Sequence, residues 1–187
     1  VNLYTFTVTD ENEETAFADI QITIVGPATT PLDMTISGAL FSQAGPAGKG
    51  GLDLDQGVGT GSGDESAEIV DMGIDCSTAT VFWRKQIGSA NGAKLVTVDP
   101  TQLENFSFDN VDSKEAIAAA FDSGVQGSDA TRDECSGGGT VTDVTDEVEV
   151  GDVFAVFANN KYYLIRVDNI QDLPGNADDK YEMSIKY

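Results

Sequence analysis

The amino-acid sequence predicts a mainly β protein: an antiparallel β-sandwich or barrel-like domain with one short helix at about residues 113–123, preceded by a β-hairpin segment. Three observations carry this. Apolar and polar residues alternate with period two in one segment after another, as when a strand turns one face to a core. Asn-Gly, Asn-Asn and glycine-rich stretches separate these segments, as tight turns require. A single stretch carries apolar residues at helical spacing between a polar start and a glycine stop.

Taken in order, Tyr4, Phe6 and Val8 alternate with Thr5, Thr7 and Thr9. After the acidic turn Asp10 to Glu14, Ala18, Ile20, Ile22 and Ile24 alternate with Asp19, Gln21 and Thr23. Residues 1–25 therefore predict two half-buried antiparallel strands, and an isolated two-stranded hairpin is marginal in water. The row Tyr4, Phe6, Val8, Ile20, Ile22 and Ile24 needs a cover that these residues do not supply. Residues 26–32, with Gly26, Pro27 and Pro31, read as a linker, and residues 33–187 as the main β-rich domain.

Met34, Ile36 and Leu40-Phe41 mark its first strand. Residues 45–63 are glycine-rich, a long loop that is either ordered or mobile. Strands follow at Ala67–Ile74 and Val81–Ile87, and Asn91-Gly92 predicts a hairpin turn returning through Leu95–Val98. The helix has Asp112 or Ser113 as its cap, Glu115 in the first turn, an apolar face at Ile117, Ala118, Ala120 and Phe121, and Gly124 as a left-handed stop. Residues 126–140 are polar and glycine-rich. Val153–Val167 forms a hairpin turning at Asn159-Asn160, and Tyr181, Met183, Ile185 and Tyr187 alternate through the last strand.

Composition narrows the function. Ten basic against thirty-two acidic residues give a net charge of −22, a field that repels nucleic-acid backbones and anionic bilayers. There is no histidine, which removes the commonest general base, triad member and metal or haem ligand. Cys76 and Cys135 lie in hydrophilic surroundings without a CxxC pair, and predict a disulfide and an oxidising compartment. No apolar run is long enough to span a membrane as a helix. The chain opens without a charged-then-apolar leader, as a processed end would.

Residues 3–25, Tyr-Thr-Phe-Thr-Val-Thr-Asp and Ala-Asp-Ile-Gln-Ile-Thr-Ile among them, resemble the last two strands of the Ig-like, PKD- or cadherin-type repeats of bacterial surface proteins. The order of Trp83, the segment Phe106 to Val111, the hairpin Asp152 to Val167 and a strand ending in Tyr187 resembles the HmuY-like secreted family of Bacteroidetes-type bacteria. That resemblance implies an all-β, one-helix extracellular architecture. Its best-known members ligate haem iron with histidine, so no haem site carries over here. Met34, Met72 and Met183 read as core packing.

Asp53-Leu54-Asp55-Gln56-Gly57, followed by Asp64, is the best metal candidate, because alternating carboxylates before a glycine can wrap oxygen ligands around Ca²⁺. The pattern lacks the closing glutamate of an EF-hand loop, and a solvated loop is the plainer reading. No nucleophile elbow, phosphate loop or identifiable carboxylate pair is present, so no enzyme is expected. Phe82, Trp83, Tyr162 and Tyr163 would line a groove only if they shared a face, and strand alternation sends about half of them inside.

The expected protein is a non-catalytic structural or adhesive one, secreted or on the cell surface. Its leading form is a fibre subunit that self-associates through its N-terminal strands or joins an adjacent Ig-like domain. The alternatives are the C-terminal part of a multi-domain adhesin and a HmuY-like module for haem, porphyrin or glycan.

Overall fold

The computed structural model describes residues 2–22 and 28–187, and its longer strands follow the period-two segments, whereas 67–74 is divided between two strands and 126–140, read as a polar glycine-rich stretch, holds a further strand and the start of another. In chain order they are β1 (Asn2–Thr9), β2 (Thr15–Ile22), β3 (Thr35–Ser42), β4 (Gly51–Asp53), β5 (Val58–Thr60), β6 (Ile69–Asp71), β7 (Ile74–Asp75), β8 (Phe82–Trp83), β9 (Ile87–Ser89), β10 (Lys94–Thr97), then the helix α1 (Lys114–Ser123), β11 (Val125–Gln126), β12 (Ser128–Thr131), β13 (Thr140–Val144), β14 (Val153–Ala158), β15 (Lys161–Gln171) and β16 (Lys180–Lys186). Two antiparallel six-stranded sheets make the main domain, ordered β11-β10-β14-β15-β16-β3 and β12-β13-β9-β6-β4-β5. This is the predicted antiparallel sandwich; the sheets do not close into a barrel.

Alternation explains the layers. Phe154, Val156, Tyr163, Ile165, Tyr181, Met183 and Phe41 from the first sheet meet Leu52, Ile69 and Ile87 from the second in one buried cluster. The residues between them on the same strands, Ala155 and Leu164, point to the other face, where Ile117 and Ala120 of α1 join Val96, Phe108 and Val111. Ser113 caps the helix, its hydroxyl accepting from the Ala116 N–H at 3.4 Å. A smaller cluster of Val70, Met72, Val141 and Val144 covers the second sheet's outer face.

Both long sides of the sandwich are bridged by chain crossing from sheet to sheet. On one side β11 passes into β12 through Gly127, where a Cβ would lie 1.9 Å from the Val144 carbonyl oxygen. On the other, β5 approaches β3, and a Cβ at Gly59 would lie 2.8 Å from the Leu40 carbonyl oxygen. Lys186 ties the last strand to the turn beneath the helix by donating to the carbonyls of Phe108, Asp109 and Val111 at 2.8, 3.2 and 2.8 Å.

Several expectations change. The Asn91-Gly92 turn forms, with φ of 50° and 80°, but β9 and β10 enter different sheets, so it is a crossing between layers rather than a hairpin. Val81–Ile87 is broken into β8 and β9 by Lys85 at φ 50°. Gly124 is extended, at φ −75° and ψ 160°. It is needed for space, since a Cβ there would meet Val96 at 2.3 Å. Residues 45–63 hold the ordered hairpin β4–β5. Met72 and Met183 are core, whereas Met34 is 49% exposed. Thr30 already belongs to the main domain, because its N–H and hydroxyl both donate to Glu115, at 2.8 and 2.7 Å.

Candidate assembly interface

The N-terminal hairpin has full register from Asn2 opposite Ile22 to Thr9 opposite Thr15. Asp10 builds its turn: one carboxylate oxygen accepts the N–H groups of Asn12 and Glu14 at 2.8 and 2.9 Å, and Glu13 takes φ 66°. The Thr5 hydroxyl donates across the strands to Asp19 at 2.6 Å. Tyr4, Phe6 and Val8 lie opposite Ile20, Ala18 and Ala16, so the predicted apolar row shares one face. Ile22 continues it opposite Asn2; Ile24 lies outside the described residues.

Every described side chain of the hairpin is exposed. Along the apolar row exposure runs from 47% at Tyr4 to 69% at Val8. Phe17 stands on the opposite face beside threonines, at 75% exposure. The two strands form a sheet of their own.

The predicted metal ligands are not gathered. Asp53 accepts from the Gln56 N–H and side-chain amide at 3.0 and 3.1 Å. Asp55 is held by Lys161 Nζ at 2.5 Å and the Tyr163 hydroxyl at 2.9 Å. Burial pulls the Asp55 carboxyl up, but those two hydrogen bonds outweigh it and hold the group below the usual range. Asp64 turns to Ser66, whose N–H and hydroxyl donate to it and lower its pKa. Among the described residues the single cluster with metal-ligand spacing is Cys76, Asp133 and Cys135. Its two sulfurs are spent in the Cys76–Cys135 disulfide, as the cysteine count predicts.

The aromatic residues are divided among layers. Trp83 and Tyr163 are in the core, Phe82 is exposed, and Tyr162 packs on the helix side against Phe121 and Phe157.

Sequence reasoning missed a polar centre inside the domain. Asp71, with 0% exposure, accepts from Ala44 N at 2.8 Å, Gly73 N at 2.7 Å, Trp83 Nε1 at 3.0 Å and Tyr181 Oη at 3.1 Å. Burial nevertheless pushes its carboxyl up to about 6, against the pull of those donors. Burial and the adjoining Asp71 charge push the Tyr181 phenol well up. Beside this centre, Ser136 Oγ accepts from Ile74 N at 2.9 Å, and Asp133 joins Cys76 N at 2.9 Å to Arg84 at 2.8 Å. The disulfide thus fastens the 134–136 turn to β7, over the Asp71 centre. The clue was Asp71 within the apolar run Ile69 to Ile74.

Comparison with protein-family models, curated proteins and solved structures returns no match. No described helix is long and apolar enough to cross a membrane.

Proposed function

We propose that this chain is a non-catalytic structural or adhesive protein of the extracellular space or cell surface. Its N-terminal hairpin is one layer of a second, Ig-like β-sandwich, and the main domain is the module that follows it in a multi-domain surface protein. The observation that carries this reading is the exposed row Tyr4, Phe6, Val8, Ile20 and Ile22 on a sheet of two strands. A one-faced apolar sheet needs an opposing layer, and a sandwich core is made by two such faces.

The main domain is a poor donor of that layer. Its intersheet space is filled by its own side chains, and its long sides are bridged by β11–β12 and by β3–β5. The remaining strands of an Ig-like module are the complement that matches the hairpin's length, register and one-sided pattern. The Thr30–Glu115 contacts, which fix the entry to the main domain soon after the hairpin, suit a boundary between tandem modules. The disulfide supports an oxidising compartment, and the net charge of −22 a well-solvated surface.

Hydrogen exchange on the protein as its cells make it tests the reading. Slow exchange of the β1 and β2 amides, comparable to those of β15, in a single-chain particle is the expected result. Fast exchange there would refute it. Protection present only in particles of several copies would assign the cover to a second copy, as in a fibre.

A further inference from the structure

On the outer face of the second sheet, beside the Asn91-Gly92 turn, lies a cleft of about 290 Å³. Ser62, Asn91 and Thr140 line it with hydroxyl and amide groups, Val70 and Val141 give it an apolar side, and Arg132 borders it. None of its described lining residues is acidic, although the chain has thirty-two acids.

Arg132 is 7% exposed and forms no ion pair among the described residues. Its hydrogen bond runs from Nη2 to the Asp71 carbonyl oxygen at 2.6 Å, while Nε is enclosed with no partner. A guanidinium withdrawn from water is costly unless its charge and its N–H groups are met. Here Nε is closed off from the cleft, and Nη1, which has no hydrogen bond among the described residues and is not enclosed, is the end of the fork left for a ligand.

We propose that Arg132 anchors a binding site for a carboxylated sugar, such as a single uronic acid. The planar guanidinium fork matches a carboxylate. A single cation in a molecule of net charge −22 favours a monoanion over the free sulfate or phosphate dianion, whose second charge the surrounding field repels. The Ser62 and Thr140 hydroxyls supply the mixed donors and acceptors that ring hydroxyls need, the Asn91 side-chain oxygen adds an acceptor while its nitrogen is spent on the Asp64 and Ala67 carbonyls at 2.8 Å each, and Val70 and Val141 take an apolar ring face. The cleft is near the lower size limit of small-molecule sites, which suits one sugar ring rather than an extended chain. The site does not depend on what covers the hairpin.

Calorimetric titration of the chain with galacturonate and galactose, which differ in a carboxylate against a hydroxymethyl group, tests this. Galacturonate is expected to bind about tenfold tighter or more, as a charge-assisted contact gives, and to weaken with added salt. Arg132→Gln should abolish the preference. Because that change also removes the tie to Asp71, Arg132→Lys and Thr140→Val are measured beside it, with near-ultraviolet circular dichroism to confirm folding. Arg132→Lys keeps the charge but loses the fork, and should cost most of the preference; Thr140→Val should weaken binding several-fold. Equal affinity for the two sugars, no binding of either, or unchanged galacturonate affinity in folded Arg132→Lys or Thr140→Val would overturn the proposal.

Discussion

Replacing Asp71 by asparagine isolates the energetics of the buried centre. The Asp71 pKa rises from 3.8 to about 6 on folding, and that shift of roughly 2 units is worth about 3 kcal/mol. The sign follows from where the proton sits. Below the unfolded value both states hold it, and Asp71 contributes no pH dependence. Between 3.8 and about 6 the unfolded chain gives up the proton while the fold keeps it, so stability falls as pH rises. Above about 6 both states are ionised and the whole cost is present. In the protonated fold the acid donates to Tyr181, whose hydroxyl turns from donor to acceptor. Asparagine retains an oxygen for Ala44 N and Gly73 N but sets an amide against Trp83 Nε1. That adds a pH-independent loss of about 1–3 kcal/mol. Urea unfolding of both proteins from pH 3.5 to 7.5, disulfide intact, gives a difference curve in which the other carboxylates largely cancel. The variant should gain about 3 kcal/mol on the native protein across that range. A flat difference, or a native protein that gains on the variant as pH rises, would show that the four donors and Arg132 hold Asp71 ionised, and would refute the reasoning.

Three other perturbations follow from the same geometry. Removing the Cys76–Cys135 bridge with paired serines should cost about 4 kcal/mol, read as a lower urea midpoint. Gly73→Ala places a Cβ 2.1 Å from the Ala44 carbonyl oxygen at φ +74°, and should destabilise the main domain by about 3 kcal/mol in the same assay. Deleting residues 1–25 should leave the main domain's unfolding free energy, from the same urea assay, within about 0.5 kcal/mol of the intact chain, because every described side chain of the hairpin is exposed; a collapsed stability would make the hairpin part of that domain.

The longer strands and their faces were legible because they obey period two where one face meets a core; β4 and β6 are buried at every residue and β12 is polar, so neither kind alternates. Phe154, Val156 and Ala158 point between the sheets, while Val153 and Ala155 meet the helix layer. Asn159-Asn160 was readable as a turn because both residues adopt positive φ, at 52° and 60°. Sheet membership was not legible. Asn91-Gly92 specifies a turn, but whether β9 and β10 pair depends on partners far away in sequence, β13 for one and β14 for the other. The hairpin's apolar row was visible in Tyr4, Phe6 and Val8 because nothing local competes with its pattern. The Asp71 centre was hidden, since one acid among thirty-two gains meaning only when Trp83, Tyr181 and Arg132 converge on it. The Asp53, Asp55 and Asp64 spacing suggested convergence, yet Lys161 and Ser66 take two of those carboxylates in different directions.

The pairing at the start and finish of the main domain bears on how it would carry tension. Tyr187 exchanges hydrogen bonds with Met34 at 3.1 Å each way, and Asp33 N also donates to Tyr187 O at 2.6 Å. β3 then runs antiparallel to β16 from that point. A pull applied at residues 33 and 187 would load this ladder end-on and open it rung by rung, like a zipper, instead of shearing all its bonds at once. Once β3 and β16 part, the Cys76–Cys135 crosslink would keep the intervening stretch from paying out, so the module would yield at modest force and then stop short of full length. Such a part behaves as a soft link with a built-in limit.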